Sequence, residues 1–236
     1  MSIPHTNVLS IKVCTLSKND IKNNLCRELQ YGHGISIFTP NTQMLLAAKN
    51  DARLSKLLNS SSINIPDGIG IRIAANVKLA KTSGIDLAEE LLPIAEKLGT
   101  RIFLLGGKEG VARAAKINLS DRFPSLNICG THHGYFDRAS EKAVIQQINS
   151  SRAELLLVCM GFPRQEEWIN KNLRALPSVR IAMGLGGTLD VWAKKIRRAP
   201  KIIQGAGLEW LWRVMLEPSR AKIFLDIPRF LLLLVK

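Results

Sequence analysis

Short apolar runs alternate with longer stretches of helical periodicity through most of this chain. Residues 34–38 (GISIF) read as a strand, followed by a helical pattern from Thr42 to Leu58. Residues 63–65 form a short strand that ends in Pro66, Asp67 and Gly68. Ile85 to Leu98 is amphipathic, Arg101 to Leu105 (RIFLL) is a buried strand running into Gly106 and Gly107, and Glu109 to Arg122 is helical again. Further strands are expected over 126–129, 154–160 and 179–185, with helices near 140–150 and 164–173 between them. Apolar strands separated by helices predict an α/β fold: a Rossmann-like, mainly parallel sheet with helices on both faces. After about residue 195 the alternation stops and the sequence turns helical, basic and aromatic, so the expected division is an α/β domain over 1–195 and a C-terminal helical appendage over 196–236.

In such a sheet ligands bind beyond the carboxyl ends of the strands, where loops lead into helix N-termini. Thr39 to Asn41, Pro66 to Gly68, Gly106 to Lys108, Gly161 to Glu166 and Gly184 to Thr188 all fall there. A glycine after a strand lets backbone N–H groups approach a phosphate, and the following helix adds partial positive charge. The loops at Gly106 and Gly107 and at Gly184, Gly186 and Gly187 have this form, but neither fits G-x-G-x-x-G, and no G-x-x-x-x-G-K-[ST] occurs. They can cradle a phosphate or simply turn the chain. Asp67, between a proline and a glycine, can serve as a general base toward a hydroxyl. It can equally bond its own turn or cap the helix that starts near Ile69. Asp86 reads as such a cap, and Asp190 fits either role.

Composition narrows the classes. With 236 residues, 46% hydrophobic and 22% charged, the chain can bury a core and is not disordered. The four cysteines are scattered without a C-x-x-C pair, which points to reduced thiols in a cytosolic protein. The N-terminus lacks a secretory pattern, and the longest apolar run, residues 230–235, has 6 residues where a membrane span needs roughly 20. The net charge is +14, and half of it lies from Val191 onward, where ten basic residues face three acidic ones. There they interleave with Trp210, Trp212, leucines and phenylalanines, a composition suited to an anionic membrane surface, or else to a solvated basic face over an ordinary core helix. No D-x-D pair or H-E-x-x-H occurs, and His132-His133 reads as a loop feature, so neither a metal nor a cofactor is expected. A diphosphate would then be neutralised by Arg, Lys and helix N-termini. A dinucleotide-dependent oxidoreductase lacks its glycine fingerprint, and a nucleic-acid-binding module lacks any recognition motif.

Taken together, nine blocks resemble the WecG/TagA/CpsF glycosyltransferase family in order and spacing. They are Thr39 to Met44, Ile65 to Gly70, Gly84 to Leu87, Phe103 to Gly107, Gly134 to Phe136, Gly161 to Glu166, Gly184 to Asp190, Arg198 to Pro200, and Leu208 to Arg213 continuing through Glu217 to Arg220. The resemblance implies a metal-independent, inverting transferase that moves a sugar from a UDP donor to an undecaprenyl-diphosphate-linked saccharide at the inner face of the bacterial membrane. The donated sugar would be N-acetylmannosamine, its uronic acid or glucose. It implies that Asp67 is the catalytic base, that Thr39 and Asn41 lie beside it, and that Gln165 lines the same pocket. Arg213 and Arg220 match arginines brought over the diphosphate by the membrane-contacting C-terminal segment. Arg164, Asp190 and Arg198, in the matching blocks, are substrate-binding candidates together with Gly106, Gly107, Gly186 and Gly187. Lys81 stands where relatives commonly carry arginine; it keeps the charge and loses the bidentate fork. Assembly into a homo-oligomer is compatible with all of this.

Overall fold

The computed structural model describes residues 3–216 and residue 230, with the backbone alone at Arg213. It opens on an antiparallel hairpin, β1 (His5–Val8) and β2 (Ile11–Cys14), and on α1 (Lys18–Tyr31). There follow β3 (Ile35–Phe38), α2 (Thr42–Asn50), α3 (Ala52–Asn59), β4 (Ile63–Asn64), α4 (Ile69–Ala74), α5 (Gly84–Leu98), β5 (Ile102–Gly106), α6 (Val111–Arg122) and β6 (Ile128–His132). Then come α7 (Arg138–Ser150), β7 (Leu155–Cys159), α8 (Arg164–Asn172), a 3-10 turn over 173–175, β8 (Ile181–Gly184), α9 (Thr188–Trp192), α10 (Lys201–Gly205) and α11 (Glu209–Leu216).

Six strands form one sheet in the order β4-β3-β8-β7-β5-β6, and every neighbouring pair is parallel. The α/β expectation is met, with a sheet that is wholly parallel. Both faces are covered, which is why the strands are continuous apolar runs. Ile102, Leu104, Leu155, Leu157, Ile181 and Met183 point to the side packed by α1, α5 and α6. Phe103, Leu105, Leu156, Val158 and Ala182 alternate to the side packed by α2, α3, α7 and α8. Phe230, the first residue of the terminal apolar run, is 1% exposed and belongs to this second layer. The rest of that run lies outside the described residues.

Two departures from the sequence reading have local causes. The helix expected from Thr42 to Leu58 is broken at Asp51, whose Oδ1 accepts the N–H groups of Arg53 at 2.8 Å and Leu54 at 3.4 Å and so starts a new helix. The β1–β2 hairpin and α1 lie ahead of the first strand that periodicity marked.

Strand order places the ligand crevice. The chain runs from β3 outward to β4, then crosses to β5 and returns through β7 and β8 to the other side of β3. The reversal leaves an opening at the carboxyl ends of β3 and β8. Here Thr39 Oγ1 donates to the Gly184 carbonyl at 3.0 Å, which joins the two strand ends. Further along the same edge, Gly107 N–H donates to the Cys159 carbonyl at 2.9 Å. Gly106, at φ 142°, comes so close to β7 that a Cβ would sit 2.2 Å from the Cys159 carbonyl oxygen. Gly106→Ala is therefore expected to force β5 and β7 apart and to cost about 3 kcal/mol. Urea unfolding measures this, and a midpoint equal to that of the unchanged protein would show that the strand ends can separate freely.

Candidate active site

An open cleft of about 1940 Å³ crosses the carboxyl edge of the sheet. One wall is built from the start of α2 and the β4–α4 and α4–α5 connections, where Thr39, Asn41, Asp67 and Lys81 line it. Gly107, Gln165, Gly186, Gly187 and Asp190 line the cleft from the loops after β5 and β8 and from α8 and α9. Nine of the residues singled out from sequence thus meet in one space.

Asp67 sits half-buried on the loop after β4, its N–H bonded to the Pro40 carbonyl at 2.9 Å. It does not cap α4, because Gly68, at φ 95°, is the residue at that helix's N-terminus and makes no side-chain cap bond. Its Oδ2 instead accepts the N–H of Gly84, the first residue of α5, at 3.4 Å. A carboxylate at the N-terminus of a 15-residue helix faces the positive end of the helix dipole. Gly84 can approach because it has no side chain: a Cβ there would lie 3.0 Å from Thr39 Cγ2 and 3.3 Å from Leu185 Cδ2. The cap of α5 is Ser83. Ser83 Oγ accepts Asp86 N–H at 3.2 Å and donates to Asp86 Oδ2 at 2.6 Å, so Ser83 is the capping residue and Asp86 its partner. Asn41 is likewise the cap of α2, accepting Met44 N–H at 3.1 Å.

Gln165 is 3% exposed, and its amide joins two elements. Oε1 accepts Gly186 N–H at 2.9 Å, fixing the glycine loop after β8, and Nε2 donates to Glu166 Oε1 at 2.8 Å. Asp190 lines the cleft from the first turn of α9. Among the described residues, the lining cations Arg72, Lys108 and Lys195 form no ion pair, whereas Lys81 Nζ donates to the Gly205 carbonyl. Sequence reasoning passed over Arg72 and Lys195, since nothing in their spacing shows that they border the crevice. The thiol of Cys159, on the cleft floor, is pushed by burial up to about 12 and stays protonated.

Two predicted arginines lie off the lining. Arg164 Nη2 donates to the Phe136 carbonyl at 3.1 Å, and its guanidinium stands 5.6 Å from the ring centroids of both Tyr135 and Phe136. Arg198 is paired with Asp86 and Glu209. Gly106 lies behind Gly107, buried under the lining. Arg213 lies on α11, whose neighbouring residues Leu208 to Trp210 border the cleft. Arg220 is outside the described residues. His132 is the last residue of β6, its Nδ1 2.8 Å from the His133 carbonyl. Among the described residues no three His, Cys, Asp or Glu side chains cluster as metal ligands, and no helix is long and apolar enough to cross a membrane.

A family model for WecG/TagA/CpsF glycosyl transferases matches residues 6–236, nearly the whole chain. The chain belongs to that family. It is accordingly a glycosyltransferase of cell-surface polysaccharide biosynthesis, a class that moves a sugar from a sugar-nucleotide donor to a lipid-linked acceptor.

The transferase also buries an acid behind its cleft. Glu166 is 0% exposed, and its Oε2 has no hydrogen-bond partner among the described residues. Burial raises its carboxyl to about 7, against the lowering effect of the Gln165 hydrogen bond. In the unfolded chain it titrates near the ordinary value, about 4.3, so between the two values the unfolded state releases a proton that the folded state keeps. Folding stability must then fall as pH rises through this window and level off above about pH 7. The cost at about pH 8 is on the order of 3 kcal/mol. Glu166→Gln, which keeps an acceptor for Gln165, is expected to match the unchanged protein near pH 4 and to exceed it by that amount near pH 8. Urea midpoints at the two pH values measure this, and an equal difference at both would show that Glu166 does not hold its proton.

Proposed function

We propose that this chain is an inverting, metal-independent hexosyltransferase. It moves a sugar from a UDP donor to an undecaprenyl-diphosphate-linked saccharide at the cytoplasmic face of the membrane. The observation that carries the reading is the position of Asp67, on the wall of the large cleft and at the N-terminus of α5, in one space with the glycine loops after β5 and β8.

The chemistry is a single displacement. An acceptor hydroxyl oxygen bonds to the anomeric carbon on the face opposite the leaving group, and its proton passes to the Asp67 carboxylate. The bond from the anomeric carbon to the diphosphate oxygen breaks, and UDP departs with the electron pair. Negative charge therefore grows on the diphosphate only as that bond lengthens, which is where fixed donors act most strongly, each worth about 3 kcal/mol. The amide of Gly187, the cations Arg72, Lys108 and Lys195, and the family-matched Arg213 and Arg220 are the donors for this charge. N-Acetylmannosamine, its uronic acid and glucose are the donor sugars that fit the family resemblance.

Asp67→Asn keeps an acceptor for Gly84 N–H but removes the base, so turnover is expected to fall by about 10²-fold or more while UDP-sugar binding is unchanged. UDP release from a panel of UDP-sugars, with lipid-diphosphate acceptor and excess chelator, measures both points. Near-unchanged turnover in Asp67→Asn would place the base elsewhere, and loss of activity in chelator that divalent salt restores would overturn metal independence.

Membrane association is supported by the exposed apolar side chains of α10 and α11 and the residue preceding α11, Ile202 at 87%, Met215 at 69% and Leu208 at 40%, set beside Lys201. Full-length protein is expected to sediment with anionic vesicles at low salt, and Ile202→Glu together with Leu208→Glu to weaken this at least about tenfold. Equal sedimentation of the double variant would remove these residues from membrane contact.

A further inference from the structure

Arg198 stands in a block expected to bind substrate, yet its guanidinium is already engaged within the chain. Nη2 lies 2.6 Å from Asp86 Oδ1 and 3.5 Å from Ser83 Oγ, while Nε lies 3.2 Å from Glu209 Oε1. The side chain is only 18% exposed. Burial opposes charge on both partners, but hydrogen bonding and attraction outweigh it, holding the Arg198 guanidinium above and the Asp86 carboxyl below their ordinary values.

The two carboxylates come from different parts of the cleft rim. Asp86 and Ser83 close the N-terminus of α5, whose Gly84 gives its N–H to Asp67. Glu209 is the first residue of α11, flanked by Leu208 and Trp210 in the cleft wall, and Arg213 follows one turn later. Further contacts seat the same segment. Lys81 Nζ reaches the Gly205 carbonyl at the end of α10, and Trp212 Nε1 donates to the Arg197 carbonyl at 3.2 Å. Ile69 lies against Gly207, where a Cβ would come within 3.1 Å of it.

We propose that Arg198 is a positioning residue that clamps the start of α11 to the start of α5, so that the wall bearing Arg213 closes beside Asp67. It acts on the reaction through these helices, without contacting the sugar nucleotide. Removing the guanidinium leaves Asp86 and Glu209 facing each other as like charges, which drives the two helix ends apart. A lysine offers one point charge where the guanidinium reaches two carboxylates in different directions, so it restores the clamp only in part.

The inference rests on the transferase reading, and its test separates the two. Arg198→Ala, Arg198→Lys and Glu209→Gln are compared with the unchanged full-length chain for UDP release, UDP-sugar affinity and amide hydrogen exchange. Arg198→Ala is expected to lower kcat at least about tenfold while affinity for the UDP-sugar changes less than about threefold. Arg198→Lys falls between, Glu209→Gln lowers kcat in the same direction, and the losses at 198 and 209 are not additive. Exchange over residues 201–216 speeds up in both the Arg198→Ala and Glu209→Gln proteins, while the central strands stay protected. A large loss of UDP-sugar affinity in Arg198→Ala with Glu209→Gln silent would make Arg198 a substrate contact and overturn the clamp. Unchanged exchange over 201–216 would overturn it as well. Should Arg198→Ala fail to fold, Glu209→Gln, which leaves the Asp86 pair in place, decides the matter alone. Absence of UDP release from the unchanged chain would overturn the transferase reading, and the exchange comparison would still judge the clamp.

Discussion

The contact between Gly84 N–H and the Asp67 carboxylate depends on how closely α5 can approach the ends of β3 and β8. That helix begins where Thr39 and Leu185 crowd the place a Cβ would take, so a glycine there lets the first N–H reach Asp67 Oδ2 without displacing either side chain. The Thr39–Gly184 hydrogen bond holds the two strand ends at the same spacing. Once the helix is seated there, the loop after β4 delivers Asp67 to its positive end, and Asp86, bonded to the Ser83 cap, meets Arg198 at the same helix start. One close-packed helix terminus therefore organises both the candidate base and the attachment of the C-terminal segment. Interior packing at this density explains why such an arrangement is discrete and not graded.

Much of this was legible in the sequence, for reasons that also explain what was not. Strands buried on both faces must be apolar throughout, so Leu155 to Cys159 and Ile102 to Leu105 declared themselves, and alternation with helices gave the parallel sheet. The break between α2 and α3 was hidden because the apolar positions keep helical spacing across it; the decisive feature is the Asp51 side chain bonding two N–H groups, which shares its residue type with many uncapped aspartates. Asp67 could equally have been a cap, and only the backbone at Gly68, turned to φ 95°, takes that role from it. Glu166 looks in sequence like an ordinary acid in the first turn of a helix. Its burial follows from the strand ends above it, where Gly184 has no side chain and a Cβ would lie 3.3 Å from Glu166 Oε1.

The same limit applies to the cations, and it bears on chemistry. A basic chain announces affinity for anions, but sequence cannot divide its arginines into those that hold protein and those left to hold substrate. Here Arg164 spans the Tyr135 and Phe136 rings, Arg198 joins two helix starts, and Lys81 reaches the end of α10, so each of these cations has a partner within the chain. Arg72, Lys108 and Lys195, bordering the cleft without an ion pair among the described residues, keep their charge for whatever enters. Asp86 and Glu209 would otherwise oppose an incoming diphosphate at the rim, and the single guanidinium between them offsets much of that repulsion. Backbone N–H at the start of α5 meets the Asp67 carboxylate, and Arg72, Lys108 and Lys195 line the same cleft, where their charge attracts an anionic sugar-nucleotide.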